Sequence, residues 1–134
     1  MNALNDFFDV VVSNTVKHGG VTADVNSYSI LSPQNVWYFP KYPSKTVIIP
    51  ATSDLKSEIL QFIEKYWQLL MANDCVFGVW LKPKTNQYYI DINTFTRLES
   101  DALSLAEKNS KAEGRSIVSI YNPQQNKTVY LNSN

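Results

Sequence analysis

Twelve Lys and Arg residues balance twelve Asp and Glu residues in this chain of 134, so its formal net charge is zero. The general attraction that gives nucleic-acid binders most of their affinity is therefore missing from the chain as a whole. Cys75 and His18 are the single cysteine and the single histidine, which excludes an internal disulfide, suits a reducing cytosol, and leaves no metal cluster or nucleophile motif around either residue.

A chain of this length makes one ordinary domain, residues 1–134, which buries roughly two-thirds of its unfolded surface without a disulfide or metal to hold it. No apolar run approaches the roughly 20 residues that span a bilayer, so no membrane is expected. The cluster Phe7, Phe8, Val10, Val11 and Val12 is interrupted by Asp9 and has no basic residue ahead of it. It reads as a packed helix or strand, not an export signal, and the expected location is the cytoplasm. Asn126-Lys127-Thr128 fits a glycosylation acceptor, which without a secretory signal is a chance match.

In chain order, residues 3 to 17 read as a helix ending before Gly19-Gly20, a pair suited to the backbone angles that stop helices. Val21, Ala23 and Val25 then alternate with polar residues, and Tyr28 and Ile30 continue the two-residue period after a break at Ser27 that suggests a bulge. Pro33, Pro40, Pro43 and Pro50 punctuate the next stretch. Proline donates no ladder hydrogen bond, so edge strands are predicted at Val36 to Phe39 and Lys45 to Ile49.

A long amphipathic helix is predicted from Ser53, as its cap, to about Ala72, with Leu55, Ile59, Phe62, Ile63, Tyr66, Leu69 and Leu70 on its apolar face. After Asn73-Asp74 the period becomes two. Val76, Gly78 and Trp80 alternate with Phe77, Val79 and Leu81, and apolar residues in both sets predict a central strand covered on both faces. Tyr88, Ile90 and Ile92 alternate with Tyr89, Asp91 and Asn93 in the return strand after a polar turn at Lys82 to Gln87. Ser100 caps a short helix packed through Ala102, Leu103 and Ala106 and stopped by Gly114. Ser116 to Tyr121 and Lys127 to Leu131 close the chain as a hairpin. The order α, three strands, α, two strands, α, two strands predicts an α+β domain, a largely antiparallel sheet with one long amphipathic helix and one or two shorter helices packed on it.

Gly19-Gly20, Gly78-Val79-Trp80, Tyr89-Ile90-Asp91, Ala102 with Ala106, and Ile120-Tyr121-Asn122 together resemble a loose group of short uncharacterised bacterial and phage- or plasmid-borne proteins. That group has a Gly-Gly turn, a Gly-x-Trp strand, a Tyr-x-Asp return strand, an Ala-rich helix and a closing hairpin, and the resemblance covers most of residues 18 to 131. Asn122 departs from it, standing where an acidic residue is expected. The resemblance implies no particular activity; it points to a mobile-element accessory protein, including one that interferes with a host defence system.

The chemistry-bearing residues are few. As a general base His18 would need an orienting partner and a substrate site, and it reads more simply as a surface or cap residue. Cys75 opens an apolar strand, where buried inert cysteine is common. Asp91, Glu99 and Asp101 are close enough in sequence to suggest a magnesium site, but acidic residues at a helix start are favoured by the helix dipole alone, and no metal or other cofactor is expected.

Trp37, Tyr38, Phe39 and Tyr42 are the candidate surface for another protein, since consecutive aromatics cannot all point inward from one strand and Trp and Tyr are common binding anchors. Lys82, Lys84, Lys108, Lys111 and Arg115, with Tyr88 and Tyr89, are the candidate track for single-stranded nucleic acid. The leading expectation is a small non-enzymatic protein-interaction module, as monomer or homodimer. The alternatives are a nucleic-acid or nucleoprotein binder and an enzyme centred on His18 or the Asp91 region.

Overall fold

The computed structural model describes residues 3–131. Its elements are α1 (Ala3–His18), β1 (Gly20–Asp24), β2 (Ser29–Ile30), β3 (Trp37–Pro40), a single 3-10 turn at Pro43–Lys45, β4 (Val47–Pro50), α2 (Leu55–Lys65), α3 (Trp67–Leu70), β5 (Val76–Lys82), β6 (Gln87–Thr96), α4 (Glu99–Glu113), β7 (Ser119–Asn122) and β8 (Lys127–Tyr130). The protein is α+β, with one antiparallel sheet in the order β2-β1-β5-β6-β3-β7-β8. Strand β4 pairs with the first half of β6, on the edge that β3 takes over further along.

Directly opposed residues of an antiparallel pair share a face, so the register sorts the sheet into two sides. Val21, Ala23, Phe77, Val79, Ile90, Ile92, Ile49 and Phe39 fall on one of them. The helices cover this side. Phe7, Phe8 and Val11 of α1 and Leu55, Ile59, Phe62 and Ile63 of α2 bury against it. Ala102 and Ala106 of α4, an i,i+4 pair of small residues, bury against Trp37, Phe39 and Ile120. Among the described residues no helix is long and apolar enough to cross a membrane.

Helix ends follow local chemistry. Gly19 at φ 81° and Gly114 at φ 68° take the left-handed backbone that ends α1 and α4, the use to which glycine is suited. The N-cap of α2 is Asp54 and not Ser53: its carboxylate accepts from the Ser57 N–H at 3.2 Å. The expected long helix also breaks. Tyr66, at φ −113°, ends α2 after 11 residues, and its ring meets Phe62 at 4.9 Å before the short α3 begins. At 16 residues, α1 is longer.

The strands differ from expectation in two places. The break near Ser27 is no bulge; it belongs to the turn of the β1–β2 hairpin, with Tyr28 at φ 55°. Strand β3 is interior, between β6 and β7, because Pro40 stands at its last position, where the chain is already leaving the ladder; only β4 keeps the expected edge. Strand β5 is central and covered on both faces along its first four residues, as expected, the second face by side chains and a loop: Val76 packs with Leu31, Val36 and Tyr38.

Asn122 is fully buried, and its amide holds the closing hairpin to the segment before β3. Its Nδ2 donates to Asn35 Oδ1 at 2.9 Å, and its Oδ1 accepts from the Gln125 N–H at 3.0 Å. An acid at this position would keep the second bond and set two acceptor oxygens against each other in place of the first. Asn122→Asp should therefore lower stability by about 1–3 kcal/mol, read as a lower urea midpoint at pH 7; an unchanged midpoint would contradict this role.

Candidate functional site

The second face of the sheet carries Gly20, Thr22, Gly78, Trp80, Tyr89, Asp91, Asn93, Ile48, Tyr38 and Tyr121. These residues line a cavity of about 790 Å³, within the range of roughly 300–1,000 Å³ typical of small-molecule sites.

The floor of the cavity depends on an interruption between β3 and β4. Strand β3 leaves β6 at Asn93, and β4 rejoins it at Ile90. The six residues between them, 41–46, pass only Asp91 and Ile92, so they loop outward; the Lys41 N–H still donates to the Ile92 carbonyl at 2.8 Å. The loop brings Thr46 to Asp91, where its Oγ1 donates to Oδ1 at 2.5 Å. Arg115, just past the end of α4, donates from Nη1 to the Thr46 carbonyl at 2.7 Å.

Asp91 is buried at 3 % exposure. Loss of water pushes its carboxyl up to about 6 from an ordinary 3.8, against the opposing effects of the Thr46 hydrogen bond and the charge of Arg115. Burial raises the Tyr38 and Tyr121 hydroxyls as well. Beside Asp91, the side chain of Asn93 lies over Gly78: a Cβ on that glycine would stand 2.2 Å from Asn93 Nδ2. Gly78 is thus the space the amide occupies. Asn93 Oδ1 is buried with no hydrogen-bond donor, a condition that costs about 1–3 kcal/mol.

Aromatic rings flank this polar centre on both sides. Trp80 and Tyr89 are directly opposed, with ring centroids 5.1 Å apart, and Lys82 Nζ is 5.9 Å from the Tyr89 ring. Across the sheet Tyr38 pairs in register with Phe95 and with Tyr121, and its ring is 5.8 Å from that of Phe95.

The expected partner surface is not a surface. Trp37 and Phe39 lie in the core beneath α4, Tyr38 faces the cavity, and the half-buried Tyr42 packs on the main core. Three successive aromatics are accommodated because both faces of β3 are occupied. The expected nucleic-acid track is divided as well. Tyr88 is in the core, while Lys108 and Lys111 sit on α4, on the opposite side of the sheet from Tyr89, with Lys111 paired to Glu107. Lys82 and Lys84 stand at the β5–β6 turn, and Arg115 serves Thr46.

His18 is exposed at the cavity rim, beyond β1 and β5 from Asp91. Cys75 is in the main core, and burial raises its thiol. Glu99 pairs with Lys127 at 3.6 Å, and among the described residues no group of three or more His, Cys, Asp or Glu is placed to hold a metal. Sequence alternation had put Tyr89, Asp91 and Asn93 on one face, and Gly78 with Trp80. It carried no sign of Thr46, whose place depends on the gap in pairing along β6. In comparisons with known proteins no family model, curated protein or solved structure matched this chain.

The direction of the Asp91 shift fixes a pH dependence. The folded state holds this proton more tightly than the unfolded chain, so its contribution to stability is greatest below about pH 4 and is lost as pH rises through about 6, a difference on the order of 2–3 kcal/mol. Asp91→Asn removes the charge and keeps an acceptor for Thr46. It should be more stable than the wild type at pH 8 by roughly 1–3 kcal/mol, with the gap narrowing as pH falls through 6 and closing below about pH 4 in parallel urea titrations. A variant less stable at pH 8 would refute the assignment.

Proposed function

We propose that this protein works by binding, not by catalysis, and that its ligand is a small planar organic molecule held on the open face of the sheet. One observation carries the reading: the helices all pack on one side, while the other forms a cavity with a buried carboxylate at its floor, the part-buried Asn93 amide beside it and aromatic rings around them. Apolar walls with a few fixed polar groups are the usual composition of a small-molecule site. The floor offers a carboxylate, an amide and hydroxyls; the imidazole is two strands away and the thiol lies in the core, which favours holding a ligand over transforming one.

A second reading, a protein partner, is favoured by the exposed rings at the edge of the same face: Phe95, Tyr121 and Tyr130, the last at 57 % exposure. Exposed aromatic patches commonly mark protein contacts. On this reading the chain is an accessory protein that modulates a host protein, as its resemblance to mobile-element proteins implies.

A library of small aromatic and heterocyclic compounds, followed through backbone amide shifts, separates the two. The small-molecule reading expects shifts at Gly78, Trp80, Asp91 and Asn93, none at Ala102 or Ala106, and at least tenfold weaker binding in Trp80→Ala. Absence of any perturbation on the open face would overturn it. A protein partner would instead bind the chain with a loss in Tyr121→Ala and Tyr130→Ala and no dependence on Trp80.

A further inference from the structure

We propose that the cavity recognises a flat lactam ring, one that presents a carbonyl oxygen beside a ring N–H on a single edge, as uracil does, with Asn93 Nδ2 donating to the carbonyl and Asp91 Oδ2 accepting from the N–H. This rests on the small-molecule reading above and specifies its ligand.

The mixed edge comes from the floor. Asp91 and Asn93 are successive on one face of β6, and Gly78 stands directly opposite Asp91. Asn93 Nδ2 lies where a side chain on Gly78 would stand, so the amide leans from its own row of the sheet into that of Asp91. The orientation has a physical reason: turned over, the amide would set Oδ1 toward the carboxylate, acceptor against acceptor. Asp91 Oδ1 takes the Thr46 hydroxyl. Among the described residues neither Asp91 Oδ2 nor Asn93 Nδ2 has a hydrogen-bond partner, and the buried side-chain polar atom left unpaired is Asn93 Oδ1 alone. The free oxygen and the free nitrogen are therefore open to the cavity that both residues line, one acceptor beside one donor.

A ligand that satisfies both needs the converse pair on one edge, and two parallel hydrogen bonds set orientation as well as affinity. A lactam supplies that pair. An amino-substituted ring nitrogen, as in cytosine, supplies it less well: beside a carboxylate the ring nitrogen takes up a proton and becomes a donor, which then faces Asn93 Nδ2. Flatness comes from the walls. Trp80 and Tyr89, with ring centroids 5.1 Å apart, stand on one side of the floor and Tyr38 on the other, and flat rings stack on such faces. Lactam edges occur in free heterocycles and in the bases of a nucleic-acid strand. Two cations share this face, Arg115 held by the Thr46 carbonyl and Lys82 at 5.9 Å from the Tyr89 ring; they suit either source, and the test separates the two.

The test is calorimetric titration of the full chain with uridine, uridine methylated at its ring N–H, cytidine, phenol and a short oligouridylate, in the wild type, Asn93→Asp and Gly78→Ala. Uridine should bind. Methylated uridine, which lacks the donor, and cytidine should bind at least tenfold more weakly. Asn93→Asp exchanges the donor for an acceptor, and Gly78→Ala puts a methyl group where the amide lies; each should weaken uridine at least tenfold while remaining folded by circular dichroism. Where a variant fails to fold, the three nucleosides in the wild type decide alone. Three results overturn the lactam assignment and leave the small-molecule reading standing: equal binding of uridine and methylated uridine, tighter binding of phenol, whose single hydroxyl bridges the two atoms without a lactam, or binding of other planar compounds on the open face with no affinity for uridine. Failure of every small compound to perturb the open face overturns both. Oligouridylate binding much tighter than uridine, falling steeply with salt, supports the edge and overturns a free molecule as its source.

Discussion

The carboxylate of Asp91 is held out of water in the middle of a sheet, and the route of the chain from Pro40 to Val47 makes that placement tolerable. Pairing along β6 is interrupted there, β3 leaving at Asn93 and β4 joining at Ile90. The loop over residues 41–46 supplies Thr46 instead, and Arg115 closes the arrangement from the end of α4 by bonding to the Thr46 carbonyl. Three segments distant in sequence are thus tied to one acid. The raised affinity of that acid for its proton shows that the compensation is incomplete, and polar groups left under-compensated in a well-packed domain are more common at sites of function than elsewhere.

One-sided packing of the sheet supports this arrangement. The helix-side core is dense in Ile, Val and Phe, and both α1 and α2 contribute to it, while α4 covers the end formed by β3 and β7 through two alanines. With apolar burial concentrated there, the opposite face is free to hold residues that cost stability: an unpaired amide oxygen, a desolvated carboxylate and a glycine in a central strand. Gly78 links the two requirements. On the helix side its neighbours Phe77 and Val79 are core residues; on the open side its missing side chain is where Asn93 lies.

Much of the architecture was legible from the sequence because it is local. Period-two alternation placed β5 and β6 and sorted their residues correctly into two faces, and glycines with positive φ marked the ends of α1 and α4. The interior position of β3 was not legible, since its prolines suggest an edge and nothing local reveals that β7 pairs with its free side. For the same reason Trp37 and Phe39 looked like a partner surface when they are core. The elements of the site followed the same division: Tyr89, Asp91 and Asn93 could be grouped from alternation, but the contributions of Thr46 and Arg115 come from the gap between two strands and a helix end, which only the folded chain brings together. Tyr66, which cuts the expected long helix in two, stands in an unbroken apolar period and gives no local warning.

The open face depends on the state of one carboxyl group, so the most direct measurement is the carbon-13 chemical-shift titration of Asp91 in the folded protein, repeated in Thr46→Val. A midpoint near 6 in the wild type, moving higher when the Thr46 hydroxyl is removed, is the predicted result. A midpoint at or below the ordinary 3.8, indifferent to Thr46, would contradict it: Asp91 would then be a well-solvated surface carboxylate, and the open face would have no buried acceptor to offer a ligand.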